Sequence, residues 1–136
     1  MEKIEVFISW SGNNYCATND KQVDGCIIVT NKTLEGVKAD FKEALQFHIE
    51  GMAQDGDAVP EWLQKGEYEL AFNLETSALL RNCERYTSIA AIARASGINE
   101  RQLSHYANGL KKPRPEQRKR IVEGLHKIGK EFLSVV

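Results

Sequence analysis

No stretch of this 136-residue chain approaches the roughly 20 consecutive apolar residues that a bilayer-spanning helix requires. Cysteine is nearly as scarce. Cys16, Cys26 and Cys83 are scattered, form no CxxC pair, and supply neither a disulfide framework nor a zinc knuckle, so they are expected as reduced, packed side chains. Residues Met1–Val6 lack the basic segment and apolar stretch of a signal peptide, and a cytoplasmic protein is expected. A calcium loop is missing as well: Asp55 and Asp57 flank Gly56, but the twelve-residue spacing to a terminal Glu is absent. What is present is 42% hydrophobic and 27% charged residues, the balance of an ordinary globular protein and not of a disordered or fibrous one. The length fits one average domain or two small ones.

The formal net charge of −1 conceals a division. Residues 1–75 hold 6 Lys+Arg against 14 Asp+Glu, a net of −8, whereas residues 76–136 hold 12 against 5, a net of +7. The boundary near Glu75 is also where alternating hydrophobicity gives way to helical periodicity. Such asymmetry points to a basic module for a polyanion and an acidic module for a basic partner. The plainer reading of each half is a solvated face.

In the acidic half, Ile4, Val6, Ile8 and Trp10 alternate with Glu5, Phe7 and Ser9 as a strand. Ser11 to Asn14 supply a turn, Tyr15 to Thr18 return as a second strand, and Cys26 to Thr30 make a third after a polar loop, giving an antiparallel meander. Thr33 can cap a helix whose apolar stripe is Leu34, Val37, Phe41, Ala44, Leu45, His48 and Met52, with Gly51 near its end. Beyond a loop containing Pro60, Tyr68, Leu70, Phe72 and Leu74 alternate as a fourth strand, so the order is β-β-β-α-β. No carboxylates converge as a hydrolytic site would need, and His48 on the apolar stripe reads as a satisfied core or edge residue. Glu50, Asp55, Asp57, Glu61, Glu67 and Glu69 are the candidates for contact with a basic protein.

The basic half reads as all helical. Ala78, Leu79, Leu80 and Cys83 give a first helix; Ser88 caps a second through Ile89, Ile92 and Ala93 that stops at Gly97; Asn99 caps a third through Leu103 and Tyr106, ended by Asn108 and Gly109. A small Ala93 where two helices cross, Gly97 at the turn, and Ile98 and Leu103 in the core form a helix-turn-helix pattern. Its third helix displays Glu100, Arg101, Gln102 and His105, and Arg and Gln can pair with base edges in the major groove. Ser88 and Asn99 at the helix starts, with Lys111, Lys112 and Arg114 beyond the third helix, are the candidates for phosphate contact. Pro115 opens a last helix with Ile121, Val122, Leu125, Ile128, Phe132 and Leu133 on one side, and Phe132 and Leu133 at its outer end are the candidate contact with a second copy.

The chain resembles the HicB antitoxin family, in the variant whose C-terminal half carries a lambda-repressor/Cro-like helix-turn-helix. The likeness lies in Gly25-Cys26 before a strand, Thr33-Leu34-Glu35 opening the helix, Glu43-Ala44-Leu45 within it, Pro60 after it, and then Ala93, Gly97, Ile98, Leu103 and Asn108-Gly109. Ser96 stands where an apolar residue is usual, and Asn19 to Asp24 replace a more proline-rich, aromatic segment. The resemblance implies an α+β fold: a partial RNase H-like domain over 1–75 that is not itself a nuclease, then a DNA-binding domain over 76–136. It implies no enzymatic activity and no cofactor. Its partners would be a basic, RNA-cleaving HicA-like toxin, operator double-stranded DNA, and further copies of the chain in a homodimer or higher homo-oligomer. Two other readings stand beside it: a one-component transcription regulator whose first half senses a small ligand in an enclosed pocket, and a DNA-tethered nuclease with clustered carboxylates and a divalent metal.

Overall fold

In the computed structural model, which describes residues 1–136, strand β1 (Glu2–Ser11) buries Ile4, Val6 and Ile8 completely. The period of two sets them on one face of the sheet. Gly12, with φ at 63°, turns the chain into β2 (Asn14–Asn19), antiparallel to β1 with Ile8 opposite Ala17 and Trp10 opposite Tyr15. β3 (Ile28–Asn31) pairs antiparallel with β2. β4 (Tyr68–Leu74) pairs with the other side of β1 in parallel, so the order is β3-β2-β1-β4. A parallel pair needs a long crossover, and 21-residue α1 (Leu34–Gln54) provides it. Thr33 caps α1 by accepting from the Gly36 N–H at 3.0 Å, and Asn31 Oδ1 in turn holds the Thr33 N–H at 3.0 Å.

Three details of this first unit differ from the expectation. The third strand begins at Ile28 and not at Cys26, because the Asn19 carboxamide accepts from the Ile27 N–H at 2.8 Å and donates to the Gly25 carbonyl at 3.0 Å. Those bonds close residues 20–26 as a loop and tuck Val23 and Ile27 into the core. Along α1 the deeply buried positions are Leu34, Val37, Phe41, Leu45 and Ile49, while His48 and Met52 are only half-buried. The segment expected as a loop contains a one-turn helix, α2 (Glu61–Gln64), started where the Pro60 carbonyl accepts from Leu63 and Gln64 and anchored by buried Leu63.

The chain divides into compact units 1–75 and 76–136, and the whole is mixed α+β with one four-stranded sheet and six helices. The second unit holds α3 (Thr76–Cys83), α4 (Ile89–Ser96), α5 (Glu100–Ala107) and α6 (Pro115–Leu133). Its core is Leu80, Ile92, Ile98, Leu103, Tyr106, Ala107 and Ile121. Each Leu or Ile fully buried there contributes about 1.5–3 kcal/mol. α6 and α4 approach closely at Gly124 against Ser96, and Ala93 of α4 is half-buried against the core. Gly124 is small enough for the two backbones to meet, and Ser96 occupies that contact in place of an apolar side chain. At the far end of α6, Phe132 and Leu133 are 59% and 86% exposed. No helix is long and apolar enough to cross a membrane.

Candidate nucleic-acid interface

Two capped helix starts lie close together in the second unit's sequence. Ser88 Oγ accepts from the Ala91 N–H at 3.0 Å and starts α4. Gly97, left-handed at φ 73°, ends α4, and after Ile98 the Asn99 Oδ1 accepts from Arg101 N–H at 2.9 Å and Gln102 N–H at 3.3 Å to start α5. Only glycine takes that φ without strain, so a single turn can reverse the chain. Ser88 and Asn99, expected as phosphate contacts, therefore spend their oxygens as caps. The Ser88 hydroxyl and the Asn99 amide N–H groups are still able to donate to an anion.

Arg101, Gln102 and His105 fall on one side of α5, since three- and four-residue spacings share a helix face. The inward side carries buried Leu103, Tyr106 and Ala107, with Gln102 at the edge next to Tyr106. Arg101 is exposed and its guanidinium makes no internal hydrogen bond or ion pair; His105 is half-buried. Glu100 sits in the first turn, where a carboxylate complements the helix dipole, and this gives it a local role apart from any ligand. Gln102 is exposed, but its Nε2 donates to the Tyr106 hydroxyl oxygen at 2.8 Å. Gly109, at φ 73°, stops α5 as Leu110 N–H reaches the His105 carbonyl at 2.9 Å, and exposed Lys111, Lys112 and Arg114 follow before α6.

The positive charge of this unit is not all available to a ligand. Arg120 donates to the carbonyls of Gly97 at 3.0 Å and Ser96 at 3.4 Å, and Lys127 donates to that of Ala95 at 3.4 Å. Two α6 cations thus satisfy the orphan carbonyls at the end of α4, where the dipole is negative. Arg118 donates to Thr76 Oγ1 at 3.1 Å, and Arg81 bridges Glu84 at 3.0 Å and Asn108 Oδ1 at 3.1 Å. Arg94, Arg101, Lys111, Arg114, Lys119 and Lys130 are left as exposed cations. Sequence reasoning did not foresee the structural duty of Arg120 and Lys127, because a carbonyl receptor has no signature in side-chain order.

In the first unit the expected acids are dispersed. Glu50 accepts from Gln46 Nε2 at 3.1 Å, Asp55 ends α1, Glu61 pairs with Lys65 at 2.6 Å, and Asp57, Glu67 and Glu69 are exposed. Helix α1 sorts its charge by side. Lys38 lies 5.5 Å from the centre of the Phe72 ring, and Lys42 lines a groove with Tyr68, Leu70 and Phe72 of β4. On the other flank Asp40 and Glu43 line an open groove of about 540 Å³ with Val29, Thr30, Ala44 and Phe47, whose ring is 79% exposed. Asp40, Glu43 and Phe47 were not among the sequence candidates; their helical spacing was the signal that could have found them.

The fold raises the pKa of three groups. Burial pushes up the Cys16 and Cys83 thiols and the Tyr68 phenol, and the Glu75 carboxylate adds to the effect at Cys16. A thiol kept protonated is a weak nucleophile. His48 Nε2 lies 2.6 Å from the Asp24 carbonyl, which gives the ring a structural partner. No three His, Cys, Asp or Glu side chains gather as metal ligands. The chain matches no family model, no curated protein and no solved structure.

Proposed function

We propose that this chain is an antitoxin of the HicB type: a cytoplasmic, homo-oligomeric repressor that binds operator DNA through residues 76–136 and neutralises a basic, RNA-cleaving HicA-like toxin through residues 1–75. The observation that carries the reading is the capped α5 following left-handed Gly97, with Arg101 unpaired in its first turn on a unit of net charge +7. This is the arrangement a helix-turn-helix uses: the second helix enters the major groove by its N-terminal turn, and flanking cations and helix starts hold phosphates. The acidic β-β-β-α-α-β unit, read as a partial RNase H-like domain, offers the opposite charge to a basic protein.

Two assays on the full chain test the reading. Gel shifts on duplex covering its own promoter, at several salt concentrations, should show sequence-preferring binding that weakens with salt. Co-expression with a basic RNA-cleaving toxin from the neighbouring reading frame should restore growth. Absence of duplex binding sinks the repressor half of the proposal, and failure to form a complex with that toxin sinks the antitoxin half.

A further inference from the structure

The Gln102 amide is the one candidate base contact whose orientation the fold fixes. Its Nε2 donates one hydrogen to the Tyr106 hydroxyl oxygen at 2.8 Å, one helical turn away. Tyr106 is 4% exposed and its ring belongs to the core with Leu103 and Ile92, so the acceptor is anchored in the packed core of the unit. Gln102 itself is exposed, and the Asn99 cap fixes its backbone N–H at 3.3 Å. Backbone and side-chain amide are therefore both tied down before any ligand arrives.

That bond decides which base edge the amide can satisfy. An unrestrained glutamine can donate both N–H groups, and guanine presents two acceptors, N7 and O6, in the major groove. Adenine presents one acceptor, N7, and one donor, the N6 amino group. With one N–H committed to Tyr106, Gln102 retains one donor and the Oε1 acceptor, which is the adenine complement. Against guanine, Oε1 would face O6, acceptor against acceptor.

We propose that Tyr106 is a positioning residue that makes Gln102 selective for adenine over guanine at one position of the bound duplex. The inference rests on the DNA-binding reading above and goes beyond it by assigning a base and the residue that enforces it. Holding the amide in advance also lowers the entropy cost of ordering a long side chain in the complex.

The test uses the full-length chain and a pool of randomised duplexes. Sites enriched on the wild type are resynthesised with each base pair replaced in turn, and affinities are read by gel shift at one salt concentration. The wild type should show one position where A·T is preferred over G·C by about tenfold. Gln102→Ala should abolish that preference and no other. Tyr106→Phe keeps the ring in the core and removes only the hydroxyl; it should cut the same preference to about twofold, with every other position and unspecific duplex unchanged, whereas a merely structural defect would weaken all positions alike. Gln102→Glu, at an exposed position that leaves the core intact, should move the preference from adenine to cytosine, whose N4 amino group is a donor. An unaltered adenine preference in Tyr106→Phe or in Gln102→Glu overturns the inference and leaves the DNA-binding reading standing. Enrichment of no sequence by the wild type overturns both.

Discussion

Gly124 of α6 faces Ser96 of α4 at a distance that admits no side chain: a Cβ at position 124 would come within 2.9 Å of both the Ser96 Cβ and its backbone nitrogen. Helix propensity alone favours alanine over glycine by about 1 kcal/mol. The contact opposes that gain with backbone that cannot swing away, and overpacking costs about 1–3 kcal/mol. The clash should win. Gly124→Ala is expected to lower the urea midpoint of the second unit, and Gly124→Leu to lower it further; a raised midpoint in either would show that α4 and α6 slide apart freely.

The cations of the second unit should separate by duty. On the DNA-binding reading proposed above, Arg101→Ala should reduce operator affinity by about 1–3 kcal/mol, chiefly at one base position. Lys111→Ala should weaken specific and unspecific duplex alike and lower the salt slope by roughly one ion. Arg120→Ala removes donors to the Ser96 and Gly97 carbonyls, so its main effect should be a lower melting temperature. Melting curves and salt-dependent gel shifts on the three purified variants decide this. An Arg120→Ala protein of unchanged stability but weakened DNA binding would reverse the assignment.

How much of this was legible in the sequence depends on the range of the interaction concerned. Ser88, Gly97, Asn99 and Gly109 act on neighbours within a few residues, so their capping and turning roles can be read from order alone. The Ile4–Val6–Ile8 alternation and the buried Ile98 and Leu103 were equally open to inspection, because burial follows period. What was hidden involves partners distant in the chain or backbone acceptors without side-chain identity. Asn19 delays β3 by binding Ile27 and Gly25, and Arg120 and Lys127 serve α4 from α6. Ser96 departs from the apolar pattern, and Gly124, the residue it packs against, lies far along the chain. The Gln102–Tyr106 bond has an ordinary four-residue spacing, yet tyrosine reads as core in any periodicity argument.

For the acidic unit, the two flanks of α1 predict different consequences. Glu43 and exposed Phe47 rim a groove beside β3 together with Asp40, which accepts from Asn31 Nδ2 at 2.9 Å, and Glu61 is engaged by Lys65. On the antitoxin reading proposed above, Glu43→Lys combined with Phe47→Ser should weaken toxin binding more than the triple reversal of Glu61, Glu67 and Glu69 to Lys, since a central apolar anchor outweighs rim charge. The triple reversal should act mainly on association rate and flatten its dependence on salt. Stopped-flow association with the purified toxin at two ionic strengths tests the ranking, and a larger effect from the triple reversal would relocate the interface to the α2–β4 side.

Phe132 and Leu133 end α6 in solvent, 59% and 86% exposed, with Val135 and Val136 beyond them. Isolated exposed apolar side chains are common, whereas a run of them in one stretch marks a contact surface. Under the repressor reading proposed above, a second copy is the occupant that paired half-sites would require. Replacing Phe132 and Leu133 with Ser should shift the sedimentation profile toward monomer and leave the circular dichroism spectrum intact, because neither residue belongs to the Leu80–Ile121 core. An equally stable oligomer would move the pairing surface elsewhere.

The thiols provide a pH-dependent check on the packing. Cys26 is exposed, whereas burial raises the Cys16 and Cys83 thiols above the ordinary 9.0, with Glu75 adding to the rise at Cys16. A raised thiol pKa means the folded state holds protons that the unfolded state releases. The associated stability is therefore fully present below pH 9.0 and is lost as pH climbs through the raised values. Urea unfolding at pH 7, 9 and 10 should show falling midpoints, and the decline should be smaller in a Cys16→Ala/Cys83→Ala protein. Thiolate is the reacting species, so a disulfide reagent at pH 8 should consume one thiol quickly and two slowly. Cys26→Ser should remove the fast phase alone. If Cys16 or Cys83 reacts as fast as Cys26 in the folded protein, the packing around that thiol is looser than its burial implies.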